Sequence, residues 1–179
     1  MKNDIERVLV SEEELQEINK RIGAQISKDY AGKELLLVGI LKGSAVFMTD
    51  LMRNIDIPMS IDFMYVSSYG SGTTTSGVVK LVKDLDENIE GKHVLIAEDI
   101  LDSGVTLSYL LNVLSQRKPA SLKLCALLNK PERHKVDIKL DYKGIDIPDE
   151  FVVGYGLDYD QKYRNLPYVG ILKRCVYEK

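Results

Sequence analysis

Only two cysteines occur in 179 residues, Cys125 and Cys175, and neither belongs to a Cys-x-x-Cys pair or a Cys/His cluster. Their scarcity excludes a disulfide framework and gives no zinc-site spacing, so a reducing, cytoplasmic location is the default expectation. Basic residues are not in excess: 24 Lys and Arg stand against 27 Asp and Glu, for a formal net charge of −3. A general nucleic-acid binder needs positive charge to displace counterions, so nucleic acid is not an expected partner. Any anionic ligand must be held by local features. No apolar run approaches the ~20 residues of a membrane span, and "MKNDIERVLVSEEEL" has no apolar signal core, so no membrane partner is expected. Nucleotide-binding fingerprints are missing too, since there is no G-x-x-x-x-G-K-[ST] and "GYGLDY" lacks a third glycine for G-x-G-x-x-G. His93 and His134 have no nucleophile or metal partner by spacing and are assigned to structure or surface.

What remains is an ordinary globular composition, 45% hydrophobic and 28% charged, in a length that fits one domain over residues 1–179. Ser11 and Glu14 stand in capping-box spacing before Leu15, Ile18, Ile22 and Ile26, which recur at helical intervals. "ELLLVGIL" reads as a strand buried on both faces, "KGSA" breaks it, and "VFMTDLMRNI" reads as a helix. After Pro58, Met59, Ile61, Phe63 and Tyr65 alternate as in a strand, which leads into the nearly apolar-free "SSYGSGTTTSG" and back through "VVKLVKDL". The serine, glycine and threonine of that loop cannot be anchored by burial, so a mobile loop over 67–77 is expected. A strand over 93–99, a helix from about 104 to 117 and the strand "LKLCALLNK" follow, with Cys125 a buried thiol. Strand, helix, strand repeated in this way implies a parallel sheet flanked by helices on both faces. The core is placed at roughly 8–130, and the tyrosine- and aspartate-rich tail, roughly 131–179 with an N-terminal contribution, forms a small hood lobe.

The chemistry concentrates in "HVLIAEDILDSGVTL". Ligands of open α/β sheets collect outside the carboxyl ends of the strands, where this turn falls. Its backbone amides, the positive end of the following helix, the hydroxyls of Ser103 and Thr106 and a flexible Gly104 suit a phosphate. Asp102 and Ser103 could equally cap the helix. Glu98 and Asp99 weigh toward a ligand, because they extend an apolar strand where an unpaired carboxylate is costly. They call for a sugar diol or a divalent metal.

"VLIAEDILDSGVTL" resembles the phosphoribosyl pyrophosphate (PRPP) signature of the type I phosphoribosyltransferases: an apolar run, two acids, two residues, then Asp-Thr-Gly-x-Thr, with Ser103 in place of the usual threonine. "GILKGSAVFMTDL", "SSYGSGTTTSG", "LLNKPERHKVD" and "DEFVVGYGLDYDQKYRNLPYVGIL" extend the likeness over nearly the whole chain. They narrow it to the hypoxanthine-guanine phosphoribosyltransferases of bacterial type. The resemblance implies the type I phosphoribosyltransferase fold and transfer of ribose 5-phosphate from PRPP to N9 of a 6-oxopurine, with Mg2+ as cofactor and a homodimer or homotetramer as the assembly.

Carried onto this chain, the resemblance assigns the 5′-phosphate to Asp102, Ser103, Gly104, Val105 and Thr106. Glu98 and Asp99 fall to the ribose hydroxyls and the magnesium shell. Asp102 gains a second role, exchanging a proton with purine N7. Lys42 and Gly43 resemble the pyrophosphate loop, in which the Leu41–Lys42 peptide can be cis, and Arg164 the residue that grips pyrophosphate. Ser68 and Tyr69 contact the pyrophosphate region from a loop that closes over the reacting sugar, where water would otherwise hydrolyse an oxocarbenium-like species. Lys130 matches the donor to O6, Phe151 the aromatic that stacks on the base, Val152 a backbone contact to its edge, and Asp158 both a residue of the purine site and one for the second magnesium. Taken alone, Phe151 reads as core packing and Lys130 as a solvated charge.

Other classes fit less well. A haloacid-dehalogenase-type phosphatase needs Asp-x-Asp-x-Thr, which "DILDSGVT" does not supply, and a receiver domain expects its acids near the first strand. A non-enzymatic regulator on the same fold should lose its catalytic acid and gain a basic face. Here Asp102, Lys130 and Arg164 are present and the charge is negative.

Overall fold

The computed structural model describes residues 1–68 and 79–178, the side chains of Ser68 and Val79 excepted. Six strands form the main sheet: β2 (Leu35–Leu41), β3 (Met59–Ser68), β4 (Val79–Lys83), β5 (His93–Leu101), β6 (Ser121–Asn129) and β7 (Tyr142–Asp146). Their order is β4-β3-β2-β5-β6-β7, parallel except for β4, which returns antiparallel along β3. The expected parallel sheet is thus mixed by one edge strand, as a hairpin return requires. The tail assigned to the lobe contributes β7, so the chain leaves the main sheet after residue 146 rather than near 131. The pairing of Cys125 with Tyr142 and of Leu128 with Ile145 holds it there.

Helices cover both faces. The helix α1 (Glu12–Asp29) begins with the expected reciprocal capping box, Ser11 N–H donating to Glu14 Oε2 at 2.7 Å and Glu14 N–H to Ser11 Oγ at 3.2 Å. Its stripe of Leu15, Ile18, Ile22 and Ile26 packs with Phe47, Met48 and Leu51 of α2 (Ala45–Met52) on one face. Leu107, Leu110 and Leu114 of α3 (Val105–Ser115) cover the other. The strand β5 feeds both cores alternately, Leu95 and Ala97 to the α1/α2 side and Val94 and Ile96 to the α3 side. Cys125 lies fully buried in the first of these clusters, where burial pushes its thiol up.

Connections from β2 run to one side of the sheet and those from β5 to the other, so the crevice at the carboxyl ends of β2 and β5 is the topological switch point. A second, three-stranded antiparallel sheet stands over this end: β1 (Ile5–Val10), β9 (Val169–Leu172) and β8 (Val152–Val153), in the order β1-β9-β8. The N-terminal contribution to the hood is therefore a full strand. A short helix, α4 (Arg174–Tyr177), follows β9. Among the described residues, no helix is long and apolar enough to cross a membrane.

Candidate active site

Strand β5 carries its pairing through the acids to Leu101, two residues beyond the expected end, and the chain then turns at Asp102, Ser103 and Gly104 into α3. Gly104 takes φ of +77°, a left-handed conformation suited to glycine, and caps the helix with no side-chain hydrogen bond. The capping alternative for Asp102 therefore fails. The first helical carbonyl acceptor is Gly104 O, bonded by Ser108 N–H at 2.8 Å, which leaves the amides of Thr106 and Leu107 ahead of the ladder. Val105 N–H meets only Ser103 Oγ, at 3.4 Å. These amides border a cavity of about 270 Å³ shared with Gly43, Glu98, Asp99, Asp102, Ser103 and Thr106.

The two acids diverge as neighbours on a strand do, Asp99 toward the α2 side and Glu98 toward the α3 side. Asp99 is 8% exposed, its Oδ1 accepts from Ile100 N–H at 2.8 Å, and its carboxylate lies directly over Gly43, where any Cβ would collide with it. Glu98 is partly exposed as a residue, but its Oε2 is buried with no hydrogen-bond partner among the described residues. Burial, then the neighbouring Asp99 charge, pushes the Glu98 carboxyl well above its usual range. Burial pushes Asp99 up to about 6, against the backbone amide of Ile100 and the Arg164 charge. A cavity wall of buried, under-partnered carboxyls beside free amides suits a ligand that carries a phosphate at one end and hydroxyls or a cation at the other.

Lys42 and Gly43, the residues expected to meet pyrophosphate, follow β2. The Leu41–Lys42 peptide is cis. A hood loop docks on this turn: the Gly156 backbone, at φ +103°, packs so closely that a Cβ there would strike Gly43 O. Lys42 Nζ donates to Gln161 Oε1 at 3.2 Å, and the same oxygen receives Arg164 Nη2 at 3.4 Å. Arg164 pairs with Asp158 Oδ1 at 2.7 Å and donates to Gly156 O at 2.7 Å. Lys42, Asp158 and Arg164, remote in sequence, are thus gathered at the rim around Gln161. Tyr155 OH donates to Asp50 Oδ2 at 2.6 Å and accepts from Asn19 at 2.9 Å, tying the loop to α1 and α2. The side chain of Ser68, and Tyr69 with most of the 67–77 loop, lie outside the described residues.

On the far side of the acidic turn, the environments of two residues invert what their types alone suggest. Lys130 is 8% exposed, its Nζ donating to Glu150 O at 2.8 Å, whereas Phe151 is 37% exposed. A buried lysine beside an exposed aromatic is poor packing but a serviceable base pocket. Phe151 has Tyr177 stacked on one face at 4.7 Å and Tyr159 edge-on at 5.7 Å. Leu172 N–H bonds Phe151 O, so the amide and carbonyl of Val152 point away from β9 along the free edge of the hood sheet. Lys130 N–H donates to Leu101 O at 2.9 Å and Lys135 N–H to Ser103 O at 3.0 Å, which laces this pocket to the turn before α3. His134 bonds the buried Asn129 at 2.9 Å and His93 bonds Ser121 at 2.8 Å, structural roles for both.

Residues 9–160 match the family model described as the phosphoribosyl transferase domain. The chain belongs to the phosphoribosyltransferase family. Within it, this phosphoribosyltransferase is 54% identical over 178 residues to the hypoxanthine-guanine phosphoribosyltransferase of Bacillus subtilis (strain 168), covering 99% of each chain. It is 57% identical over 177 residues to the enzyme of the same name from Staphylococcus aureus (strain Mu50), again covering 99% of each. A solved hypoxanthine phosphoribosyltransferase from Staphylococcus aureus superposes with a TM-score of 0.97 at 56% identity, over 100% of this chain and 97% of that one. The chain is a hypoxanthine-guanine type phosphoribosyltransferase enzyme, with the fold of that group.

The geometry of this phosphoribosyltransferase also shows residues that sequence reasoning passed over. Gln161 joins Lys42 to Arg164, Asn129 anchors the turn after β6, and Arg133 pairs with Asp102 at 2.9 Å. Their only sequence signal was membership of motif segments, since none has a periodicity or spacing that marks it.

Proposed function

We propose that the chain transfers ribose 5-phosphate from PRPP to N9 of hypoxanthine or guanine, giving IMP or GMP and pyrophosphate in purine salvage. The observation that carries the reading is the shared cavity: uncommitted amides at the mouth of α3 line it together with two carboxyls, of which Glu98 Oε2 is buried with no partner among the described residues. The amides of residues 103–107 with the Ser103 and Thr106 hydroxyls hold the 5′-phosphate, and Glu98 and Asp99 accept from the ribose 2′- and 3′-hydroxyls. Phosphate at one end and hydroxyls at the other orient the furanose so that C1′ faces the base. Asp102 accepts the hydrogen of purine N7 as the bond at N9 forms, and Phe151 supports the ring.

Lys130 selects the base. An ammonium donates and cannot accept, so it matches the 6-oxo group and meets the amino group of adenine with donor against donor. Lys42, Arg164 and Gly43 receive the departing pyrophosphate at the rim. Magnesium is the proposed cofactor. Among the described residues no three His, Cys, Asp or Glu converge as a metal cage, while Mg2+ is ordinarily held by one or two carboxylates completed by substrate phosphates. The orphaned Glu98 Oε2, Asp99 and Asp158 fit that mode. When bound, the metal would screen pyrophosphate from the acids and stabilise it as a leaving group. A homodimer or homotetramer in the cytoplasm is proposed from the family resemblance alone, and sedimentation analysis would test the assembly.

The direct experiment incubates the protein with Mg2+ and PRPP and each of hypoxanthine, guanine, xanthine and adenine, resolving mononucleotides by chromatography. IMP and GMP should form, with adenine slower by ~10²-fold or more. Equal turnover of adenine, or no nucleotide from hypoxanthine, contradicts the reading.

A further inference from the structure

A chain of four alternating charges runs along the edge of the base pocket. Arg133 Nε donates to Asp102 Oδ1 at 2.9 Å, Arg133 Nη1 lies 3.6 Å from Asp149 Oδ2, and Asp149 Oδ1 lies 3.6 Å from Lys130 Nζ. Its two ends are the groups proposed to read N7 and O6, which are neighbouring atoms on one edge of a 6-oxopurine. Its middle two belong to neither role. The Arg133 backbone is fixed independently, its N–H donating to Lys130 O at 3.0 Å within the turn Pro131–Arg133, and His134 is pinned to Asn129. The guanidinium therefore reaches Asp102 from a rigid base.

We infer that Arg133 and Asp149 are positioning residues that hold Asp102 and Lys130 at the spacing of purine N7 and O6. The inference rests on the proposed transfer to 6-oxopurines. Arg133 occupies Asp102 Oδ1, which leaves Oδ2 to accept the N7 hydrogen and restrains the carboxylate plane. Asp149 has one oxygen 3.6 Å from each cation, so its charge draws the donor for O6 and the partner of the N7 acceptor toward each other. Net charge along the chain is zero, and a neutral base enters without disturbing it. Arg133 and Asp149 are each about half exposed, with side chains 46% accessible, so removing Arg133 leaves no buried charge, whereas removing Asp149 takes a counter-ion from the buried Lys130, whose Nζ keeps its bond to Glu150 O.

The test is a double-mutant cycle between Arg133→Ala and Asp102→Asn in the full chain, with Asp149→Asn measured alongside. Arg133→Ala should lower kcat/KM for hypoxanthine by roughly tenfold or more, the scale of a small misplacement of a reacting group. KM for PRPP and the melting temperature should stay near their starting values. In the Asp102→Asn background Arg133→Ala should cost nothing further, because the group it positions no longer accepts the proton. Arg133→Lys, which keeps the charge but loses the fork, should recover only part of the loss. Asp149→Asn should narrow the preference for hypoxanthine over adenine. Unchanged kcat/KM in Arg133→Ala, equal losses in both backgrounds, or an effect confined to PRPP would overturn the assignment. Inactivity of the unsubstituted protein toward hypoxanthine would sink the parent reading. An active protein with additive losses sinks the positioning role alone.

Discussion

Burial opposes the ionised forms of Asp99 and Glu98 in the ligand-free protein. A carboxyl raised from 3.8 to about 6 keeps its proton in the folded state where the unfolded chain has lost it. The folded state thus binds more protons between about pH 4 and pH 6, and stability falls as pH rises through that window. Asp99→Asn should melt with the unsubstituted protein at pH 4 and a few degrees above it at pH 8, where each kcal/mol shifts Tm by roughly 2–4 °C. Differential scanning calorimetry without ligand reads this, and a lower melting point for the Asn variant at pH 8 contradicts it. Asp102→Asn should reduce kcat by ~10²-fold or more with smaller changes in KM, measured by steady-state kinetics. At this scale the position of the acids and hydroxyls at one strand-to-helix turn was legible, because a carboxylate pair ending an apolar run conflicts with burial unless it is partnered. The surroundings of Lys130 and Phe151 were not. Their types point one way and their surroundings the other, and surroundings are set by contacts distant in sequence.

At the scale of elements, the site is a meeting of two strand ends and one hood loop. Gly43 has to lack a side chain because the Asp99 carboxylate occupies the place of its Cβ. Gly43→Ala should keep the far-UV circular dichroism and lose roughly 10²-fold in kcat/KM for PRPP, as the acid is displaced from its position. Gly156→Ala should be worse for folding, since φ of +103° and contact with Gly43 O both oppose a side chain. A loss of ~1–3 kcal/mol in urea titration is expected. Periodicity revealed α1, β2, α2, β5, α3 and β6, all of which bury a repeating apolar face. It did not reveal that β7 rejoins the main sheet. Nor did it reveal the hood loop, where Tyr155, Asp160, Gln161 and Tyr163 all adopt positive φ without being glycine. Such a loop is imposed by its docking on α1, α2 and the Gly43 turn, and local sequence carries no sign of it.

For the whole molecule, the hood is closed by the two ends of the chain: β1 pairs with β9, and Tyr163 OH donates to Asp4 Oδ2 at 3.1 Å. Removing residues 1–10 should lower Tm and raise KM for hypoxanthine more than for PRPP, because the proposed base pocket leans on the hood and the proposed phosphate site on the main sheet. Equal effects on both constants would argue that the two layers do not divide the substrates. That division is the central claim: phosphate and ribose at the β5–α3 turn, base between that turn and the hood. A crystal soaked with IMP tests it most directly. Density should place the phosphate against the amides of residues 103–107, N7 beside Asp102 and O6 at Lys130 Nζ. IMP bound with its phosphate away from residues 98–106 would contradict the account.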